Sequence, residues 1–600
     1  MVGWFIVYQL VPLAFLALLA GGIWAAVVAW RRRQDLDEEV ATQQREALAK
    51  RLYLYLASFA SLAVATVGLA LVIAYVLDTV FEPPLAGQRS GTLALGLVLA
   101  LVWGLSWLWH SGRLRALLRD DPDEAGSLMR QGYLHAVLLA AAGTAAYGLA
   151  DSLRQAFGAQ DFRGLSIGLL VAWGGVWAYH FWLARAAPGA QPASGAHGLY
   201  LHLVSLGSVV ATGVGVGLLL ALVLNEAYER LLEPTGPTLL RQGLWQRARD
   251  YVALTVSGGV LWASHWPLAR AGFRGWWVRH LYLYLFALAG GAATFLVAAV
   301  ITVGGALAWA LEAVDTTAEV HFRFLTGTVA ALVLGAALWA YHWLEVQGEQ
   351  AELGALAAAR RTYDYLMAAL GLGAVAAAVI VLAALAVNAG VEAADPRALD
   401  PDWWRGQLAA ALSLGIVGVP TWALHWWQRQ SRAADPEEQR ATSRRLYVRA
   451  AAVASLLAGL GGLSHFLYVL LDAVLDGRAG GDILRQSQWS LAVVAAAIAF
   501  GPYHWLVMME DQRREAKVPP APRLAKAVTV LVPGDGEPFV QGLEERLGGR
   551  VRVLQRADPG VALPALSPEA IGEVAERIAR APGQRVLVVA DAEGVRVYSY

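Results

Sequence analysis

The 600-residue chain contains no cysteine, which removes disulfides, thiolate metal sites and cysteine nucleophiles from consideration. Charge is scarce as well: only 16% of residues are Asp, Glu, Lys or Arg, against 57% hydrophobic, outside the usage of soluble globular chains. The 47 basic and 47 acidic residues cancel, so there is no basic excess of the kind that nucleic acid binding requires. What the chain has instead is long apolar runs. A spanning helix needs roughly 20 such residues, and about thirteen runs meet that length. The reading is an all-α polytopic membrane protein with the lipid bilayer as its first partner. It has one anchor, six helical-hairpin repeats and a small C-terminal α/β soluble domain.

Residues 1–33 form the anchor, an apolar stretch closed by Arg31, Arg32 and Arg33. Because the positive charge follows the apolar run, an uncleaved span with its N-terminus outside is expected rather than a signal peptide. A charged connector, 34–50, leads to six units at 51–115, 131–185, 198–270, 279–347, 361–430 and 445–510, then a linker at 511–525 and the soluble domain at 526–600. In the loop between the two helices of the third unit, 225–250 is expected to hold a short amphipathic piece on the outer surface. Loops that follow the second helix of each hairpin are richer in Lys and Arg than the loops inside the hairpins. The positive-inside rule therefore puts those ends, and the C-terminus, in the cytosol of a bacterial inner membrane.

The repeat is defined by two motifs, and internal self-similarity governs the fold. Each unit opens on a tyrosine (Tyr53, Tyr133, Tyr200, Tyr282, Tyr363 and Tyr447) and closes on a histidine (His110, His180, His265, His342, His425 and His504). In the first five units the histidine ends a Trp-x-x-His pattern, as in Leu338-Trp339-Ala340-Tyr341-His342-Trp343; the sixth copy has Gly501 in place of the tryptophan. Subtracting positions, the separation runs from 47 residues (133 to 180) to 65 (200 to 265), a length that fits two spans and a loop. All twelve residues then fall in one layer at the cytosolic interface.

Two chemistries suit such a layer. Six imidazoles at equal depth are candidate ligands for haem, another pigment or a metal. Alternatively, each histidine bonds a tyrosine hydroxyl or a terminal carbonyl and locks neighbouring repeats, where the helix dipole also favours it. The repeated tyrosine makes interlocking the preferred reading. Transport of an uncharged solute is a third class; His465 is the clearest ionisable residue inside a span, where charge is costly. In the tail, Gly534, Asp535 and Gly536 follow a strand as a phosphate-cradling turn would, but without the full fingerprint of a nucleotide site. No Ser-His-Asp, His-Glu-x-x-His or paired-carboxylate arrangement marks an enzyme. The expected role is a membrane scaffold or sensor whose residues 526–600 meet a cytosolic protein, with a homo-oligomer also open.

The opening Arg-Leu-Tyr-Leu-Tyr-Leu at 51–56, seen again as His-Leu-Tyr-Leu-Tyr-Leu at 280–285, together with hairpins ending in Trp-x-x-His-Trp, resembles an uncharacterised bacterial membrane family, domain of unknown function 5671. The resemblance covers about residues 50–510 and implies membrane repeats, with no catalytic residue.

Overall fold

The computed structural model describes residues 38–81, 90–186, 195–232, 243–273, 277–353, 356–394, 402–435, 438–439, 441–477, 481–517, 526–533, 536–549, 551–555, 567–591 and 594–599. The expected anchor at 4–30 lies outside these residues. The chain divides into two compact units, Met1–Tyr503 and His504–Tyr600.

The first unit is helical. Its main elements are α1 (Glu38–Phe81), α2 (Gly91–Asp120), α3 (Leu128–Ala156), α4 (Gly164–Ala186), α5 (Gly195–Leu232) and α6 (Leu244–Gly272). They continue as α7 (Val278–Ala310), α8 (Leu325–Leu353), α9 (Leu356–Ala394), α10 (Trp403–Gln430) and α11 (Thr442–Leu475), with α12 (Gly481–Lys517) running on across the division. Among the described residues, eleven helices are long and apolar enough to cross a membrane. The helix α6 is not one of them, because Trp262, Ser264, His265, Trp266 and Pro267 lower the hydropathy of its charge-free stretch. Of the 225–250 stretch expected to hold an amphipathic surface piece, 233–242 lies outside the described residues. Residues 225–232 prolong α5 and 244–250 begin α6, and Arg247 and Arg230 both pair with Glu226; charge that looked interfacial is spent tying helix ends together.

Packing follows a simple rule. Helix α1 packs on α2 and α4, α3 on α4 and α6, α5 on α6 and α8, and α7 on α8 and α10, so each odd helix touches its own successor and the second helix of the next pair. Lipid offers no hydrophobic drive between helices, and close backbone approach must supply the contact. At Gly168 of α4, a Cβ would stand 2.3 Å from the Ala70 carbonyl of α1, and at Gly371 of α9 it would stand 2.3 Å from the Trp422 amide of α10. At the far ends of the helices, Arg154 bonds Asp250 at 2.6 Å and Arg323 bonds Glu229 at 2.8 Å.

Within the second unit, the tail realises the alternation read in its sequence: β1 (Ala527–Val532), α13 (Glu537–Leu547), β2 (Arg552–Gln555), α14 (Pro568–Arg580), β3 (Arg585–Asp591) and β4 (Gly594–Ser599). The sheet order is β2-β1-β3-β4, with β1 parallel to both β2 and β3 and antiparallel pairing confined to β3–β4. Helices α13 and α14 supply the crossovers that parallel strands require, from β1 to β2 and from β2 to β3. Val530, Val586, Val588, Leu543 and Ile578 fill the core. Ser567 caps α14 by accepting from the Ala570 amide at 3.3 Å, ahead of the proline at the first helical position, the arrangement helices favour.

Gly168→Leu drives a side chain into the fixed Ala70 carbonyl, whereas a Cβ at Gly174 meets nothing within 4 Å. Overpacking of this kind costs about 1–3 kcal/mol or more. Detergent-solubilised G168L is expected to melt well below the parent on size-exclusion thermal scans and G174A at or near it; equal melting would refute the helix contact.

Candidate functional site

The tyrosine and histidine of the first five units meet. Tyr53 Oη lies 3.2 Å from His110 Nε2, Tyr133 3.5 Å from His180, Tyr200 2.7 Å from His265 and Tyr282 3.5 Å from His342. In the fifth unit the rings of Tyr363 and His425 pack edge-on at 5.6 Å. Tyr447 is buried in α11 and His504 is buried at the start of the second compact unit.

The other ring nitrogen is also used. His110, His180, His265, His342 and His425 each place Nδ1 2.8–2.9 Å from the carbonyl four residues earlier: Ser106, Val176, Leu261, Leu338 and Thr421. A carbonyl only accepts, so Nδ1 carries the hydrogen and Nε2 receives the tyrosine hydroxyl proton. Helical geometry makes this possible, because residues four apart stand one above the other.

The tryptophan of the motif supplies the third member. The Trp177 indole donates to the Tyr200 hydroxyl at 2.7 Å, and Trp422 donates to Tyr447 at 3.0 Å. Trp107, Trp262 and Trp339 face Tyr133, Tyr282 and Tyr363 in the equivalent places, although Trp107 and Trp262 stop short of full hydrogen-bond geometry. Where the whole series is bonded, the result is a directed relay: the Trp177 N–H donates to Tyr200 of the next unit, which donates to that unit's own His265. Tyr53 has no preceding unit and is 57% exposed, against 2% for Tyr200.

A second set of bonds joins alternate units. Trp266 donates to Tyr341 and Trp426 to Tyr503, both at 2.7 Å; each tryptophan follows the histidine of an odd unit and each tyrosine precedes that of an even one. Between odd and even units lie buried charges that inspection of single motifs did not reveal. Tyr55 donates to Glu124 at 2.9 Å and Tyr365 donates to Glu438. Arg429 is held by Asp364 and by Glu438, all three nearly inaccessible. Arg444 bonds Tyr365 and Gln430 and lies over the Trp426 ring. Aligning the units on their tyrosines exposes the signal: Glu124 and Glu438 both stand nine residues before the tyrosine of an even unit, and Arg130, Arg279 and Arg444 three before. The middle pair of units has Phe273 at the carboxylate position, edge-on to His202 at 6.2 Å, where the outer pairs have Glu bonded to Tyr. Where the second and third units meet, His135 Nε2 is 3.1 Å from His197 Nδ1.

The remaining candidates fall elsewhere. His465 lies on an exposed face of α11 with Leu463, Leu467 and Tyr468, away from the relay. Gly534 and Asp535 lie outside the described residues; Gly536 starts α13, where a Cβ would come within 2.6 Å of the Val532 side chain, a steric reason for glycine in an ordinary strand-to-helix turn. Among the described residues no group of three His, Cys, Asp or Glu is placed to hold a metal.

Residues 51–179 and 361–501 match the family described as Domain of unknown function (DUF5671). The resemblance expected over about 50–510 is thereby shown for two blocks, with 180–360 between them unmatched. Each DUF5671 block opens within a residue or two of an odd-unit tyrosine and ends just short of an even-unit histidine, so each spans the motifs joined by the Tyr55–Glu124 or Tyr365–Glu438 bond. No curated protein matches the chain, and no solved structure does.

Removing the Tyr200 hydroxyl strands both the Trp177 N–H and His265 Nε2. Tyr200→Phe is expected to cost about 1–3 kcal/mol, and Trp177→Phe to cost less in that background by about 0.5 kcal/mol or more; strict additivity in a double-mutant cycle would break the relay. Breaking a buried ion pair from one side costs about 3–5 kcal/mol, while a part-exposed pair contributes about 0–1. Arg429→Met should therefore melt far below Arg154→Met, and similar melting of the two would contradict the burial of the Arg429 cluster.

Proposed function

We propose that the chain is a non-enzymatic membrane scaffold or sensor, built from six pseudo-equivalent hairpins grouped as three two-hairpin modules, with 198–347 a divergent middle copy. The observation that carries this is the use of both imidazole nitrogens in the Tyr–His pairs of the first four units. A histidine that donates to its own helix and accepts from a tyrosine has no lone pair left for a haem, pigment or metal, so the layer serves interlocking. The modules sit in a bacterial inner membrane with the relay end and the tail in the cytosol.

The tail is the part that meets a cytosolic protein. In support, β2 is an edge strand whose Val553 and Leu554 are exposed, and an open edge is a template for strand addition by a partner.

Three measurements test the reading. An absorption spectrum of protein purified gently from its own membranes should be featureless in the visible; a band lost in His265→Ala would move the protein to cofactor binding. Replacing His180, His265 and His342 together with Gln should leave insertion intact and lower the melting temperature, and unchanged melting would sink the interlocking role. Because the chain has no cysteine, single cysteines report topology without a background. Ala159→Cys should react with an impermeant maleimide on spheroplasts and Ala125→Cys only in inverted vesicles, and the reverse pattern would overturn the orientation.

A further inference from the structure

The fifth and sixth units part along their opening helices. Between α9, α11 and the described part of α12 up to Phe500 lies a cavity of about 690 Å³. Its cause is readable in the sequence. In the second unit, the positions four and five residues after the tyrosine are Val137 and Leu138, both buried in the bundle; in the sixth unit they are Ala451 and Ala452. With Ala454 and Ala458 one and two turns deeper along the lining, α11 lacks the side-chain volume to fill the space.

The cavity is most polar at one end, with Ser455 the one serine or threonine deeper along its lining. Thr362, Thr442 and Ser443 line the mouth, at the level of the unit-opening tyrosines, while the body runs along α9 as far as Ile380. Eighteen residues of helix are about 27 Å, longer than one leaflet of a hydrocarbon core about 30 Å thick. Two basic residues, Arg361 and Arg445, adjoin its threonines and serine in sequence.

We propose that this cavity is a binding site for an anionic phospholipid, one acyl chain lying along α9 and α11 and the phosphate at the Thr442–Ser443 mouth. Polar contact at one end and an apolar channel of acyl length match an amphiphile, and basic pockets between spanning helices on the cytosolic side suit anionic headgroups. Opening of the channel within the span places bilayer lipid directly beside it.

The test uses the full chain, delipidated in dodecyl maltoside and titrated with dioleoylphosphatidylglycerol or dioleoylphosphatidylcholine, bound lipid being counted by native mass spectrometry. The expected result is one saturable phosphatidylglycerol per chain, bound more tightly than phosphatidylcholine. Filling the channel with Ala454→Leu and Ala458→Leu should weaken it at least tenfold while the protein melts no lower. Arg361→Gln and Arg445→Gln should each weaken phosphatidylglycerol about fivefold and leave phosphatidylcholine unchanged, a comparison that stands even if the filled variant does not fold. Equal binding of the two lipids, non-saturable binding, or indifference of phosphatidylglycerol to both sets of variants would overturn the proposal.

Discussion

A neutral imidazole that must donate from one nitrogen and accept at the other is the constraint around which this bundle is arranged. The donor side is fixed locally: His265 Nδ1 reaches the Leu261 carbonyl one turn back. That leaves Nε2 pointing away from its own helix, and only another helix can satisfy it. Tyr200 does so, and its own lone pair then accepts the Trp177 indole of the preceding unit. In a medium without water, an unsatisfied polar group is expensive. Three side chains on three helices thus fix spacing, rotation and depth together.

Much of this arrangement was legible in the sequence. The tyrosine and histidine were paired by recurrence alone, and the tail's strands and helices were placed by alternation, caps and turn residues. The direction of the tryptophan bond was not legible, because Trp177 is next to His180 in sequence but serves Tyr200 in the following unit. Nor was the carboxylate layer, since Glu124 and Glu438 lie in polar connections that read as solvated loops. Their role emerges only when the chain folds back to bring them beneath Tyr55 and Tyr365. At the start of helix α6 the signal ran the other way: its early arginines made 225–250 look like a surface segment, whereas among the described residues partners such as Glu226 let the charged turns remain part of long helices.

The alternation between odd and even units relates three kinds of bond. Tyrosine bonds histidine within each of the first four units, Trp177 and Trp422 bond the tyrosine of the following unit, and the Trp266–Tyr341 and Trp426–Tyr503 bonds join an odd unit to the even one after it. The two DUF5671 blocks coincide with odd-to-even pairs. The middle pair keeps the same relay but exchanges the Glu–Tyr bond for the packing of Phe273 on His202, a change of chemistry that retains the contact between the same two positions.

The relay also has a direction in time. A ribosome delivers the first unit before the second, so when a new tyrosine enters the membrane, the tryptophan that will serve it is already in place. Along the chain the donor comes first at each step, Trp177 before Tyr200 and Tyr200 before His265, so each bond is completed by the later-made residue. Tyr55 likewise precedes its acceptor Glu124, and loss of a middle member such as Tyr200 strands the residue made before it as well as the one made after.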